Sequence, residues 1–450
     1  MEPTVRRLGS QTNLRIAIPL ELATLGLTSM RGRVESIFET FKIGAGPSSS
    51  HSIGPERAAR LFRAQFAAPP ARIRVTLRGS LAATGRGHWT DRALASALDP
   101  IPVEIEWDAQ APTPVHPNTM LFEAFDKGGA RVRVWTAYSI GGGSLADDEG
   151  LARREPPVIY PISSLTDVLH RCAEQRWTLW QFVEAHEPDC WARLEPIWET
   201  MRGSLERGLN STEPLLPGPL QVERRAATTF TRAQALASPH RDIALLSAYA
   251  LAVAEENAAG GRIVTAPSCG PAGVVPGVLF YYEEQQGTAR IDILHALATA
   301  GLIGSLIRAN ASVSGAEVGC QGEIGSACSM AAAAAAQLLG GTRAQIEYAA
   351  EMGMEHHLGL TCDPVQGYVQ IPCIERNLTA CLRACECATF ALLTDGRHRV
   401  SFDEVVEAMY RTGLDLSPRY RETASGGLAE IWRRRDAGDA PGGAGPRACD

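Results

Sequence analysis

The order of apolar and polar residues divides the chain into two kinds of sequence. In the first part, strict alternation of apolar and polar residues predicts strands at 73–77, 103–107 and 132–135. Apolar residues at helical spacing predict helices at 34–41 and 54–66. Strands that alternate with helices are typical of an α/β domain.

The rest of the chain has a helical pattern. From about residue 240 it is rich in Ala, Gly and other small residues, which allow helices to pack closely. We therefore expect an all-α second domain and an α+β fold class for the whole chain. Helices are predicted at 164–174, 178–187, 190–207, 242–260, 291–308, 326–339 and 343–356.

Turn-forming residues indicate where the domains end. Asn, Ser, Thr, Gly and three prolines between residues 208 and 222 are typical of a linker. The predicted division is a flexible extension at 1–30, an N-terminal β-rich domain at 31–207, a linker at 208–224, an α-helical domain at 225–432 and a mobile tail at 433–450.

Composition narrows the class of protein. Of the 450 residues, 45% are hydrophobic and 21% are charged, which excludes disorder for most of the chain. The net charge of -7 does not favour a nucleic-acid or anionic-membrane partner. Without an apolar secretory core or a run of 18 strongly apolar residues, a cytoplasmic protein is expected.

Two residue counts bear on chemistry. Lys42 and Lys127 are the only lysines, so any Schiff-base mechanism, including that of pyridoxal phosphate, must use one of them. Eight of the eleven cysteines fall between Cys269 and Cys387. This clustering favours a metal or redox site, although small buried thiols in an Ala-rich core remain an alternative.

Four loops of the first part carry Gly, Ser and His. Main-chain N–H groups and hydroxyls before a helix can bind an anion, although such serines often only cap the helix. A histidine in a loop can act as an acid or base, although it is often only a hydrogen-bonded polar residue. These loops could converge on one small anionic ligand. Their candidate residues are Ser48, Ser49, Ser50, His51, His88, His116, Asn118, Thr119, Gly142 and Gly143.

Six longer motifs carry a resemblance to a known family. They are FKIGAGPSSSH, GSLAATGRGH, HPNTM, EENAAGGR, SGAEVGCQGE and LTCDPVQG. With these motifs the chain resembles the bacterial iron–sulfur L-serine dehydratases in their single-chain form, from about residue 34 to residue 432. Agreement in six such blocks is too extensive to arise by chance.

The resemblance implies a [4Fe–4S] cluster held by Cys320, Cys362 and Cys373. It implies a substrate-binding-like α/β domain followed by an all-α iron–sulfur catalytic domain. In a family member of known fold the C-terminal cysteine ligates the fourth iron, and Cys449 is the matching candidate here. The chain departs from that pattern because Asp450 follows Cys449. Cys269 is expected not to be a ligand.

The implied reaction is the dehydration and deamination of L-serine to pyruvate and ammonia, a step of amino-acid catabolism. The open iron would act as Lewis acid. We expect His88 as the base, followed by His116 or a serine of the 48–50 run, because histidine has the pKa nearest neutrality. The loop ending at His51 would hold the substrate carboxylate.

Other expectations concern orientation, partners and rival activities. Asn118 and Thr119 would orient the substrate, and His356 and His357 would either support the ligands or end a packed helix. A homodimer is expected by analogy, without nucleic-acid or membrane partners. The rivals are a pyridoxal-phosphate enzyme using Lys42, a cluster lyase acting on L-threonine or L-cysteine, and a serine sensor without catalysis.

Overall fold

The computed structural model describes residues 32–152 and 158–436. The predicted extension at 1–30 lies outside the described residues, as do Cys449 and most of the predicted tail. The described strands are β1 Val34–Glu35, β2 Ile43–Ala45, β3 Arg72–Arg78, β4 Val103–Asp108, β5 Thr119–Phe125, β6 Arg131–Ser139, β7 Leu145–Asp147, β8 Val158–Tyr160 and β9 Arg262–Val264.

Helices make up most of the remaining described chain. A π-helical turn at Ser49–Ile53 precedes the first of them, and short 3-10 turns lie at Ile37–Glu39, Cys320–Gly322, Val365–Gly367 and Pro418–Tyr420. The α-helices are α1 Gly54–Arg63, α2 Ser80–Thr84, α3 Thr90–Leu98, α4 Leu165–Gln175, α5 Leu179–His186, α6 Cys190–Leu209, α7 Ala226–Ala233, α8 His240–Ala258, α9 Val274–Gln286, α10 Arg290–Asn310, α11 Gly315–Val318, α12 Ile324–Leu338, α13 Arg343–Glu355, α14 Cys373–Leu392, α15 Phe402–Asp415 and α16 Gly427–Asp436.

A five-stranded sheet organises the first part of the chain. Its strand order is β4-β3-β5-β6-β7, with β3 and β4 parallel and the other neighbours antiparallel. Alternate residues of β3, Ile73 and Leu77 among them, are fully buried, whereas Arg74 on the other face pairs with exposed Glu104. The buried face packs against α1 and α3, which explains the alternation seen in the sequence.

The helical part packs around the alanine-rich α12. Contacts with α10, α13 and α14 surround this helix, and its residues from Ile324 to Ala336 are buried. Helix α13 approaches closely at Gly353, where an added Cβ would lie 2.8 Å from the Cα of Ser329. Small residues therefore set the distance between these helices, as the sequence predicts.

The predicted fold class is confirmed, since a β-containing N-terminal region precedes a helical C-terminal region. All three predicted strands are present, and the seven helices predicted after residue 160 are present with ends shifted by two residues or fewer. Strand β5 was not predicted because Met120, Phe122 and Ala124 are buried on one face, while Glu123 and Phe125 are buried on the other. Without an exposed face the alternation disappears.

The helix predicted at 34–41 is wrong. This segment forms β1 and a 3-10 turn, and β1 pairs with β8. The carboxylate of Glu187 accepts hydrogen bonds from the Ser36 hydroxyl at 2.5 Å and the Ile37 amide at 3.0 Å. These contacts with a distant part of the chain outweigh the weak local preference of this segment for a helix.

The described residues form two hydrophobic clusters, and the larger one crosses the predicted domain boundary. The smaller one fills the space between the sheet, α1 and α3. The larger one contains the helical region together with buried residues of β1 and of helices α4, α5 and α6. The division at residue 207 stays a prediction, and packing groups 165–209 with the helical core.

One helix of the described chain, α10, has the length and composition of a membrane span. Its mean hydropathy over 18 residues is 1.4, but 78% of that window is buried inside the fold. The burial accounts for the apolar composition of this helix, because a core helix passes the same test.

Truncation of the sheet core should destabilise the fold. Leu77→Ala should lower the free energy of unfolding by about 2–5 kcal/mol, because Leu77 is fully buried and the removed atoms leave a cavity. The control is Val132→Ala, since Val132 is 53% exposed and should lose little. Urea unfolding of both variants measures the difference, and equal midpoints would contradict the assigned core.

Candidate functional site

A small cavity lies where the loops of the sheet region meet the helical region. It brings together Ser48 and His88 from the first part and all three cysteines predicted as ligands. The complete lining is Pro47, Ser48, His88, Gly270, Cys320, Glu323, Ile324, Cys362, Pro364, Val369, Cys373 and Glu422.

The three cysteines reach the cavity from three separate segments. Cys320 begins the turn between α11 and α12, Cys362 lies in the loop after α13, and Cys373 is the first residue of α14. Soft thiolate donors of this kind suit iron–sulfur clusters, copper(I) and zinc. The donor set therefore fits the group that the sequence resemblance implies.

One arginine supports this group of thiols. Arg376 lies one turn after Cys373 and donates to the Thr361 carbonyl oxygen at 2.8 Å. A hydrogen bond from the Cys362 thiol, aided by the charge of Arg376, lowers the pKa of Cys320 to about 6. The same hydrogen bond and burial raise the pKa of Cys362. Cys320 is thus the thiol most readily held as thiolate.

Two carboxyl groups complete the cavity wall, that of the partly buried Glu323 and that of the buried Glu422, and neither was predicted from the sequence. Burial raises the pKa of Glu323 to about 8, and its Oε1 accepts a hydrogen bond from Ser268 at 2.7 Å. Burial also raises the pKa of Glu422, with Glu323 adding to the effect. Glu323 belongs to the SGAEVGCQGE motif, which could have indicated it, whereas no periodic signal marks Glu422.

His88 is uncharged and has one free ring nitrogen. Its Nδ1 lies 3.0 Å from the Thr84 carbonyl oxygen and must carry the proton, because that oxygen can only accept. Nε2 is therefore the basic atom, 3.8 Å from Oε1 of Glu422. Burial lowers the pKa of His88 to about 4.

The ring of His51 lies beside that of His88, with centroids 4.4 Å apart and the ring planes tilted, but both nitrogens of His51 have partners. Nδ1 lies 2.9 Å from the Ser50 hydroxyl and Nε2 lies 3.1 Å from the Ser80 hydroxyl. Burial, and then the neighbouring His88, lower the pKa of His51. The buried Ser49 and Ser50 belong to the same turn, and of the three serines only Ser48 lines the cavity.

The HPNT loop lies outside the cavity lining. Nδ1 of His116 accepts from the Asn118 amide at 3.0 Å, and the Thr119 hydroxyl donates to the His116 carbonyl oxygen at 2.7 Å. Nε2 of His116 and Oδ1 of Asn118 are buried without a hydrogen-bond partner among the described residues. Burial lowers the pKa of His116 to about 4. The predicted roles of these residues stay predictions.

Gly142 and Gly143 belong to a different cluster. An added Cβ on Gly143 would lie 3.7 Å from Cδ of Lys42, whose Nζ donates to Ser144 at 2.6 Å and pairs with Glu39 at 3.0 Å. Burial lowers the pKa of Lys42 to about 7. Lys42 lines another cavity, so neither it nor the two glycines meets the three cysteines.

The remaining candidates do not line this cavity. Cys269 is fully buried, and the expectation that it is not a ligand stays a prediction. Nδ1 of His357 lies 2.8 Å from the Gly353 carbonyl oxygen, which is the packed helix end that the sequence allowed. A larger cavity of about 790 Å³ beside Trp180 and His295 contains none of the predicted site residues.

Comparison with known proteins agrees with the motifs. Residues 36–103 match the family model for the serine dehydratase beta chain, and residues 117–429 match that for the alpha chain. The chain is 42% identical over 447 residues to the L-serine dehydratase of Streptomyces coelicolor, covering 88% of this chain and 98% of that protein. L-serine dehydratase 1 of Escherichia coli K12 is 42% identical over 448 residues, and the Helicobacter pylori L-serine dehydratase is 37% identical over 453 residues, with the same two coverages.

The different pKa shifts of the thiols predict the order in which they are alkylated in metal-free protein. Iodoacetamide at pH 7 should modify Cys320 before Cys373, because the pKa of Cys320 is lowered to about 6 and burial raises that of Cys373. Arg376→Gln should slow the modification of Cys320, since it removes a charge that stabilises the thiolate. Peptide mass spectrometry gives both rates, and equal rates at the two cysteines would refute this order.

Proposed function

The chain belongs to the serine dehydratase family, and we propose that it converts L-serine to pyruvate and ammonia. The observation that carries the proposal is one cavity lined by three thiols and by an uncharged imidazole with a free nitrogen. Relatives at 42% identity bear the name L-serine dehydratase, which supports the same substrate here.

We propose that Cys320, Cys362 and Cys373 hold a [4Fe–4S] cluster, because thiolates are the usual ligands of such clusters. Among the described residues no fourth cysteine lines the cavity. Cys449 as ligand of the fourth iron stays a prediction, since it lies outside the described residues. When bound, the cluster would supply a Lewis-acidic iron that makes the substrate hydroxyl a better leaving group.

His88 is the proposed base. Its Nδ1–H donates to the Thr84 carbonyl oxygen, so Nε2 is free to accept a proton. Nε2 would take the α-proton of serine while hydroxide leaves from Cβ. The resulting aminoacrylate tautomerises and hydrolyses to pyruvate and ammonia. His51 is a poorer candidate, because both of its nitrogens already have hydroxyl partners.

The substrate carboxylate is proposed to bind at the turn that begins after Ser48. Ser48 lines the cavity, and its hydroxyl accepts from the His51 amide at 3.1 Å. The first N–H groups of a helical turn have no partner within the turn and attract anions. Asn118 and Thr119 stay candidates for orienting the substrate, although neither lines the cavity.

The pyridoxal-phosphate alternative has less support. It requires a lysine that reaches the reacting centre, yet Lys42 pairs with Glu39 and Ser144 and lines a different cavity. A pyridoxal-phosphate mechanism also leaves the three convergent thiols without a role.

The proposal predicts both metal content and activity. Protein purified without oxygen should contain about four irons and four sulfides per chain, and it should form pyruvate from L-serine faster than from L-threonine or L-cysteine. Replacement of Cys320, Cys362 or Cys373 by Ala should remove iron and activity together. Formation of pyruvate by iron-free wild-type protein would contradict the proposed role of the cluster.

Cys328→Ala is the matched control for these variants. Cys328 is a fully buried thiol on α12 that does not line the cavity. This variant should keep both its iron and its activity. Loss of iron in the control as well would mean that iron content reports damage to the helical core rather than ligand loss.

His88→Gln should keep the iron but lower kcat by about 10²–10⁴-fold, the usual contribution of a positioned base. Because the pKa of His88 is lowered to about 4, the base is already uncharged at pH 6. The fall of wild-type kcat/KM on the acid side should therefore lie well below pH 6.5. Near-normal turnover of the variant would eliminate His88 as base.

A further inference from the structure

One oxygen of the cavity wall has no partner. Oε2 of Glu422 is buried and accepts no hydrogen bond from any described residue, and the whole residue is only 5% exposed. The neighbouring Glu323 differs, because its Oε1 accepts from Ser268 and its Oε2 lies 3.9 Å from the Cys362 sulfur. Of the two carboxylates, Glu422 is the one left open to a ligand.

The cavity also lacks a positive charge to balance this carboxylate. No lysine or arginine is among the described residues that line it. Arg376 is directed to the Thr361 carbonyl oxygen and the Asp363 carboxylate, and the nearest imidazoles belong to the buried His51 and His88. Without a counterion the buried carboxyl group favours its neutral form, and a ligand that brings a cation would stabilise the ionised form.

The backbone holds Glu422 in a defined position. Its φ is +56°, in the left-handed region that residues other than glycine seldom adopt. Its amide donates to the Cys362 carbonyl oxygen at 2.7 Å, and its own carbonyl oxygen accepts from the Ser80 hydroxyl at 2.7 Å. Contacts from two distant segments thus support an unfavourable conformation, which is typical of functional positions.

We propose that Glu422 binds the α-ammonium group of the substrate and so selects an amino acid over a hydroxy acid or a simple carboxylic acid of the same length. The ammonium nitrogen is bonded to Cα at about 1.5 Å. An ammonium group held by Glu422 therefore brings Cα towards Nε2 of His88, which lies 3.8 Å from Oε1. This inference rests on the proposed function and names the residue that recognises its substrate class.

The decisive comparison uses two ligands that differ only in the ammonium group. 3-Hydroxypropanoate keeps the carboxylate and the hydroxyl of serine but has no ammonium. Glu422→Gln should raise KM for L-serine on the order of 100-fold, the usual effect of removing one partner of a buried charge pair. The inhibition constant of 3-hydroxypropanoate should change by less than about threefold, because its carboxylate and hydroxyl still bind as they do in the wild-type protein.

Binding of L-alanine gives a readout that needs no turnover. L-Alanine keeps the ammonium and carboxylate but has no hydroxyl to lose, so calorimetry can measure its affinity directly. It should bind wild-type protein and bind the Glu422→Gln variant on the order of 100-fold more weakly. If wild-type protein makes no pyruvate but this difference persists, the proposed reaction fails and the ammonium site stands.

Two further variants control for unspecific effects of the substitution and for loss of folding. Glu351→Gln changes a buried carboxylate on α13 that lines no part of this cavity, and it should leave KM and alanine binding unchanged. If Glu422→Gln does not fold or loses iron, Glu422→Asp keeps the charge and should retain the preference for L-alanine over propanoate. Equal weakening of L-serine and 3-hydroxypropanoate, or an unchanged KM for L-serine, would overturn the proposal.

Discussion

The site depends on a short backbone pairing between two loops. The Cys362 amide donates to the Tyr420 carbonyl oxygen at 2.8 Å, and the Glu422 amide donates to the Cys362 carbonyl oxygen at 2.7 Å. Ser80, the first residue of α2 after strand β3, then donates to the Glu422 carbonyl oxygen. These hydrogen bonds hold the segments around Ser80, Cys362 and Glu422, which are far apart in sequence, at fixed positions relative to one another. The thiol, the carboxylate and the histidine loop cannot be positioned independently.

The same region concentrates groups that are costly to bury. Thiols, two carboxyl groups and two histidines share a space from which water is largely excluded. In such surroundings each group favours its neutral form unless a partner stabilises the charge. This explains why burial lowers the pKa of His88 to about 4 and raises that of Glu323 to about 8, while partners lower that of Cys320 to about 6. A cationic metal centre and a zwitterionic ligand would supply the missing charges.

Sequence patterns predicted most of the framework and only part of the site. Strand β3 follows from the alternation of apolar and polar residues, and helix α12 follows from a continuous run of small apolar residues, which is buried on all sides. The cysteines proposed as ligands were indicated by long motifs rather than by spacing. Glu422 could not be predicted, because its placement depends on a left-handed backbone and on Ser80, 342 positions earlier. Gly142 and Gly143 resembled an anion loop, yet their neighbours are Lys42 and Arg308 rather than the thiols.

The division of labour across the cavity has a physical reason. A proton acceptor must be uncharged before it acts, and burial achieves this for the proposed base His88, whereas the hydrogen bond to the Thr84 carbonyl oxygen shifts its pKa in the opposite direction. A cation receptor must instead be negative when the ligand arrives, which burial alone opposes. In the proposed site, a bound ammonium group would stabilise the Glu422 carboxylate against the effect of burial, while the imidazole of His88 would stay neutral and free to accept the adjacent proton. Binding of an amino acid would thus complete the electrostatic balance of the cavity, and a ligand without the ammonium group could not do so.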